Sequence, residues 1–479
     1  MPGVIELTNA SRAPSPPLSR RTFLLGTAAV AVAACAPAPS PSLTPAATAS
    51  AASEPPSAAP PSPSPTASPT ETPVPSTGTP ARRVLYRDAA LADGRSDTLR
   101  LGVSVLVEGS TIRWIRPSDD EGDPGAREGL EVVDAGGATI VPGMVDAHSH
   151  LTLPGGSHWI DRGFDAPERL LEHAEANGRL LTAAGVRWVR DVGAPRGRDP
   201  VDGRERALSL GVRGRWAGQP GRPYIRAAGT WLTRTGTLPS GLSVEASSAD
   251  ELRDAVARQL DEGADLVKLY LDGPDATTAP WSADEVASAV KVAHDRGARV
   301  TAHAGRLSGA VVGVRGGVDA IEHGFELDRD TTEEMARRGI ALVSTLAVMR
   351  SWLSFGRTTT IPRFASADGR RAIRERQERA EASVALARSA GVAIASGTDF
   401  GGGSLRANQL AWEVESLVAA GLEPWEALAA ATWRGGELLG EPGAGAIREG
   451  GPADFFLVHG DPISEPAALW RVWRVAWAT

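Results

Sequence analysis

The run Ala138-Thr139-Ile140-Val141-Pro142-Gly143-Met144, followed at once by Val145-Asp146-Ala147-His148-Ser149-His150, decides how the rest of the chain is read. Its apolar and β-branched residues favour a strand. Side chains two apart on a strand share a face, so His148 and His150 can grip one ion together. Outward from this run, Lys268, His303, His323 and Asp399 each close a later apolar run. Candidate strands fall at 138–145, 186–190, 224–228, 266–270, 300–303, 320–323, 341–345 and 392–395. Helical stretches at 167–184, 249–262, 282–296 and 369–390 lie between them, and several strands follow a glycine suited to ending a helix. This alternation predicts a (β/α)8 TIM-type barrel, whose catalytic groups sit at the C-terminal ends of its strands. A doubly wound open sheet is the competitor, but no Gly-rich dinucleotide fingerprint follows the first strand.

On either side of residues 138–439, the expected barrel, short strand-like runs punctuated by Gly, Asp and Pro recur. Residues 82–137 and 440–479 therefore read as one small β-sandwich domain built from both chain ends. Residues 1–35 have a different character. Ser19-Arg20-Arg21-Thr22-Phe23-Leu24-Leu25 is a twin-arginine type n-region, and the apolar segment after it is too short to span a bilayer permanently. Val32-Ala33-Ala34-Cys35 resembles a lipobox, making Cys35, the one cysteine of the chain, the lipidation site. With no second cysteine there is no internal disulfide. Residues 36–81, almost wholly Ala, Pro, Ser and Thr, have too little apolar bulk to offset ordering entropy and read as a disordered tether. Together these predict an extracytoplasmic lipoprotein, exported by the twin-arginine route and anchored to a membrane through Cys35. A formal net charge of -8 offers no electrostatic reason to expect nucleic acid as a partner.

Lysine usage carries its own signal. Lys and Arg together number 50, yet only Lys268 and Lys291 are lysines. Lys291 sits mid-helix, whereas Lys268 ends the apolar run Asp265-Leu266-Val267-Lys268-Leu269-Tyr270. An uncompensated ammonium there is costly to bury. A buried amine can lose its proton and react with carbon dioxide to give an anionic carbamate that bridges two metals; a guanidinium cannot. A buried ion-paired lysine is the competing reading.

These motifs resemble the metal-dependent amidohydrolase superfamily, in its imidazolonepropionase-like and Xaa-Pro dipeptidase-like branch. The matching runs are 141–150, 185–193, 263–268, His303, 321–324 and 397–399, and the resemblance covers roughly residues 84 to 470. It implies that His148, His150 and Asp399 hold one divalent ion and His303 and His323 another, with zinc the expected metal. Carboxylated Lys268 and a hydroxide would bridge the pair. Asp399 would move a proton from the attacking water to the leaving nitrogen of an Xaa-Pro or N-acyl amino acid type substrate. Imidazolonepropionase-type members use one ion and no bridging lysine, so Lys268 favours two ions. The loop at 229–237 departs from the Gly-Gly-His-Gly run that relatives often carry. Candidate contacts to a small-molecule substrate are Tyr270, Trp159 and Arg162. The Arg/Glu-rich stretch 369–381 reads as a solvated helix face. Two alternatives stay open: cyclic amide or lactone opening, or deamination, on the same metals, and a tethered binding protein without turnover. A homo-oligomer is compatible with the sequence.

Overall fold

The computed structural model describes residues 82–122, 129–156, 158–273, 275 and 277–478. Cys35, the expected export signal and the expected tether lie outside them.

Strands from the two chain ends pair first. Arg83–Leu91 runs antiparallel to Arg100–Glu108, which pairs in turn with Thr111–Pro117. The first half of Arg83–Leu91 lies parallel to Leu130–Asp134, and its end lies parallel to Ala138–Pro142. The switch of partner falls at a bend where Asp88 takes a positive φ of 60°. Ala138–Pro142 then pairs antiparallel with Phe455–His459 from the C-terminal end. The result is one seven-stranded mixed sheet, completed by Val472–Val475, rather than the two facing sheets of the expected sandwich. Its apolar face carries Val84, Val105, Ile112, Ile140 and Phe455, with Tyr86 edge-on to Phe455 at 5.0 Å.

The first barrel strand expected at 138–145 is therefore two strands. Ala138–Pro142 belongs to the small sheet, and Met144–Ser149 opens the parallel body. Gly143 is the hinge: a methyl group there would lie 2.6 Å from Arg187 Cβ. With Met144–Ser149 the body has eight successive strands running parallel, and the other seven lie near their expected places. Three of the eight, Met144–Ser149, Val186–Asp191 and Tyr224–Ala227, form one sheet. Leu266–Tyr270, Arg299–Ala304, Ala320–His323, Ala341–Ser344 and Ile394–Ser396 form another, extended at one edge by Leu232–Arg234 and Val244–Ala246. The pairing thus divides the strands between two sheets instead of one closed ring. Backbone hydrogen bonds nevertheless run across both seams. Asp265 N–H donates to the Ala227 carbonyl, and Asp399 N–H donates to the His148 carbonyl, each at 2.9 Å.

Local chemistry starts and stops the helices. Ser282 caps Ala283–His294 in a reciprocal capping box with Glu285, satisfying two end groups at once. Gly339 and Gly391 end Arg329–Arg338 and Ala367–Ala390 in the left-handed conformation that glycine adopts without strain. The strands between them are buried along their length, as expected where helices cover a parallel sheet. No described helix is long and apolar enough to cross a membrane.

Candidate metal centre

Because the parallel strands run the same way, their C-terminal ends gather at one mouth, and the polar residues that close each apolar run meet there. His148, His150, Lys268, His303, His323 and Asp399 all line one cavity of about 690 Å³. Ligand atoms of His148, His323 and Asp399 lie within 4.8 Å of one another, a group able to hold a metal ion. His150 joins them, its Nε2 being 3.2 Å from Asp399 Oδ1, against 3.5 Å for His148 Nε2. His303 stands next to His323, ring centroids 4.6 Å apart, and His323 next to His148 at 4.5 Å.

Each imidazole is aimed by a partner on its far nitrogen. His148 Nδ1 donates to Glu322 Oε2 at 2.6 Å, and His150 Nδ1 donates to the Gly193 carbonyl at 2.8 Å. His323 Nδ1 lies 2.9 Å from Thr345 Oγ1. For His148 and His150, whose partners can only accept, the Nε2 lone pair is left facing Asp399, the arrangement in which an outer partner fixes a ligand's tautomer. His303 is held the other way round, with Nε2 3.2 Å from Asp272 Oδ2 and its ring stacked 4.0 Å from Tyr270. Burial, reinforced by neighbouring cations, pushes His148 and His323 well below the ordinary histidine range, so both are neutral at physiological pH. His323 and Asp399 also hold positive φ values, 71° and 55°, unusual for residues with a side chain.

Glu322 is the buried carboxylate behind this wall. It accepts from His148, from the Arg190 guanidinium and from the Thr301 hydroxyl. Burial pushes its carboxyl up, but Arg190, Lys268 and Thr301 together hold it below its usual value. Arg190 is itself tied to the Ala147 carbonyl at 2.6 Å. Asp146 is a second fastening. It accepts from the Thr398 N–H at 3.0 Å and the Thr398 hydroxyl at 2.6 Å, joining the first strand to the last. Burial pushes Asp146 up to about 7.

Lys268 is completely enclosed, and its Nζ has no hydrogen-bond partner among the described residues. Burial is the main cause that brings its amine down to about 8. An orphaned, easily deprotonated amine beside inward-facing neutral imidazoles and a carboxylate is a donor set that suits divalent metal. The residues present fit the group the sequence implied.

Of the expected substrate contacts, Trp159 and Tyr270 line the cavity. Arg162 does not; its guanidinium turns to Asp165 and to His173, at 3.3 Å and 2.7 Å. Several residues were missed in the sequence. Trp231, 5.1 Å from the His150 ring, comes from the divergent 229–237 loop. Asp272 is two residues past Tyr270, and a period-two reading of that strand could have found it. Glu322 is adjacent to the candidate ligand His323 and points instead to His148, Arg190 and Thr301. Arg376 comes from the stretch 369–381 read as a solvated helix face, yet it lines the cavity.

The amidohydrolase family model matches residues 139–475. An uncharacterized protein of Mycobacterium tuberculosis is 32% identical over 387 residues, 78% of this chain and 94% of that protein. Ochratoxinase of Aspergillus niger is 27% identical over 276 residues, 53% of this chain and 54% of the enzyme. Imidazolonepropionase of Anaeromyxobacter sp. (strain K) is 26% identical over 422 residues, 79% of this chain and 90% of the enzyme. Among solved structures, a Xaa-Pro dipeptidase with bound methionine superposes with a TM-score of 0.68 at 23% identity, over 81% of this chain and 97% of that one. The A. niger ochratoxinase structure gives 0.67 at 18% identity, over 84% and 95%. This chain belongs to the amidohydrolase family. It is a hydrolase acting on carbon–nitrogen bonds.

Proposed function

We propose that the protein cleaves the amide or peptide-like bond of a small Xaa-Pro or N-acyl amino acid type substrate at a two-metal centre. The observation that carries this reading is the meeting of His148, His323 and Asp399 beside the buried, unpartnered amine of Lys268 in one cavity. His148, His150 and Asp399 would hold one ion and His303 and His323 the other, both zinc, with Lys268 as a bridging carbamate. Divalent ions held there supply Lewis-acid polarisation and lower the pKa of water.

The chain's own groups do the rest. Asp399, half-enclosed and within reach of His148 and His150, accepts the proton of the attacking water and passes it to the departing nitrogen. Burial raises Tyr270 to about 12, so its hydroxyl stays protonated and can donate to a substrate oxygen. Trp159 and Trp231 give an apolar wall that excludes water from the reacting bond. The bonds across both seams support reading the two parallel sheets as one (β/α)8 barrel, with the terminal strands as a small companion domain. A lipid anchor at Cys35 and export by the twin-arginine route complete the proposal.

Opening of a cyclic amide is the second reading, favoured by the likeness to imidazolonepropionase along 79% of the chain. Asp399→Asn, assayed on N-acyl amino acids, Xaa-Pro dipeptides and lactones, is expected to retain metal by elemental analysis and lose turnover. An unchanged rate eliminates the proton-transfer mechanism. The preferred panel member separates the two readings.

A further inference from the structure

Four arginines line the cavity: Arg234, Arg306, Arg363 and Arg376. Three of them are engaged by other groups of the protein. Arg234 donates to the Pro280 carbonyl at 2.9 Å, and Arg306 donates to the carbonyls of Gly273 and Asp275. Arg363 lies on the rim, exposed, stacked over Phe364 and Trp352. Arg376 differs. It is only partly exposed, and although the charges of Asp272 and Glu326 act on it, among the described residues no carboxylate lies within ion-pair distance of it and no acceptor takes its N–H groups. A guanidinium has five donors and cannot shed its charge, so one turned into a cavity without a partner is suited to an anion brought in from outside.

Its position says which part of a substrate that anion is. The guanidinium stacks 4.9 Å from the Phe325 ring, which stands 5.3 Å from the His323 ring. A methyl group built on Gly305, two residues beyond His303, would come within 3.0 Å of Arg376 Nη2. Arg376 therefore flanks the His303 and His323 side of the site. From there ring contacts run through His148 and His150 to Trp231 at the other side, with Trp159 also on the cavity wall. Arg376 and the two tryptophans thus lie on opposite sides of the histidine cluster, with Asp272, engaged by His303, also on the Arg376 side.

We infer that Arg376 is the anchor for a substrate carboxylate, so the preferred substrates are N-acylated amino acids with a free carboxylate and an apolar acyl group. The acyl group lies toward Trp231 and Trp159. This deepens the amide-hydrolase reading and rests on it. A planar carboxylate matches the guanidinium fork in a bidentate pair, the strongest type of charge-assisted hydrogen bond.

The test compares N-benzoyl amino acids with the corresponding N-benzoyl amino acid amides, which lack the charge. Both kcat/KM and binding are measured, the latter by quenching of tryptophan fluorescence, on the metal-loaded full chain. The wild type is expected to favour the free acids by roughly ten- to a hundred-fold, the range of a hydrogen bond to a charged group. Arg376→Gln should lose that preference, the acids falling by far more than the amides, and Arg376→Lys should restore part of it. Preferential binding of the acids without turnover of either series keeps the anchor and removes the hydrolase reading for these substrates. Equal loss on acids and amides, or no preference in the wild type by either readout, overturns the assignment.

Discussion

Glu322→Ala would strip three groups of a partner at once: His148 Nδ1, the Arg190 guanidinium and the Thr301 hydroxyl. All are buried, Glu322 at 0% exposure and Arg190 at 3%. Removing one member of a buried ion pair leaves the other charge uncompensated, at about 3–5 kcal/mol. Loss of an outer carboxylate on a ligating histidine weakens metal binding by roughly 10- to 100-fold. The two effects can be separated. Urea unfolding of the metal-free protein measures the first, and metal titration against a competing chelator measures the second. In the double variant Arg190→Met with Glu322→Leu the guanidinium is removed together with its carboxylate, so most of the stability lost through that pair should return. Metal affinity should not, because His148 still lacks its aiming partner. A cost below about 1 kcal/mol for Glu322→Ala, well under the buried-pair range, would rule out a stabilising buried pair. Wild-type metal binding by the double variant would rule out an aiming role for Glu322.

Lys268→Arg keeps a positive charge but cannot form a carbamate, so elemental analysis should find fewer than two ions per chain. Gly397→Ala would set a methyl group 2.4 Å from His148 Cβ and 2.8 Å from its backbone nitrogen. Overpacking of this kind costs about 1–3 kcal/mol and should shift the urea midpoint and weaken metal binding together. Glu413 accepts from the Ser344 hydroxyl and the Leu346 and Ala347 N–H groups, and burial raises it from 4.5 to about 7. A raised folded value means its contribution is fully present below pH 4.5 and is lost as pH rises through 7. Relative to wild type, Glu413→Gln should gain stability across that window by up to about 3 kcal/mol, from 1.36 kcal/mol per pKa unit. Parallel stability profiles for the two proteins would contradict it.

Most of the site was legible because its chemistry forces unusual residues into strand ends. A His-x-His after an apolar run, a lysine in a chain that otherwise uses arginine, and an aspartate after Ser396-Gly397-Thr398 stand out against buried neighbours. Glu322 and Asp272 were less visible, since a carboxylate in a strand looks the same whether it faces a cavity or a neighbouring sheet. Arg162 and Arg376 show the limit from both sides. Arg162 lies close in sequence to the histidine pair but turns to Asp165 and His173. Arg376 lies in a stretch crowded with Arg and Glu, with nothing in its neighbours to mark it.

The boundary at Gly143 shows the same division. Residues 138–149 read as one strand because β-propensity and apolar character continue through Pro142 and Met144. Only the pairing with Phe455–His459, a partner more than three hundred residues away, assigns the first half to the terminal sheet. By itself the sequence determined the strand–helix alternation, the candidate polar residues at the strand ends and the family, because periodicity, end-capping and side-chain chemistry are local properties. Tertiary structure decided which sheet each strand joined, which carboxylates aim the histidines and which arginine faces the cavity. Those choices depend on contacts between segments far apart in the chain, and no local pattern encodes them.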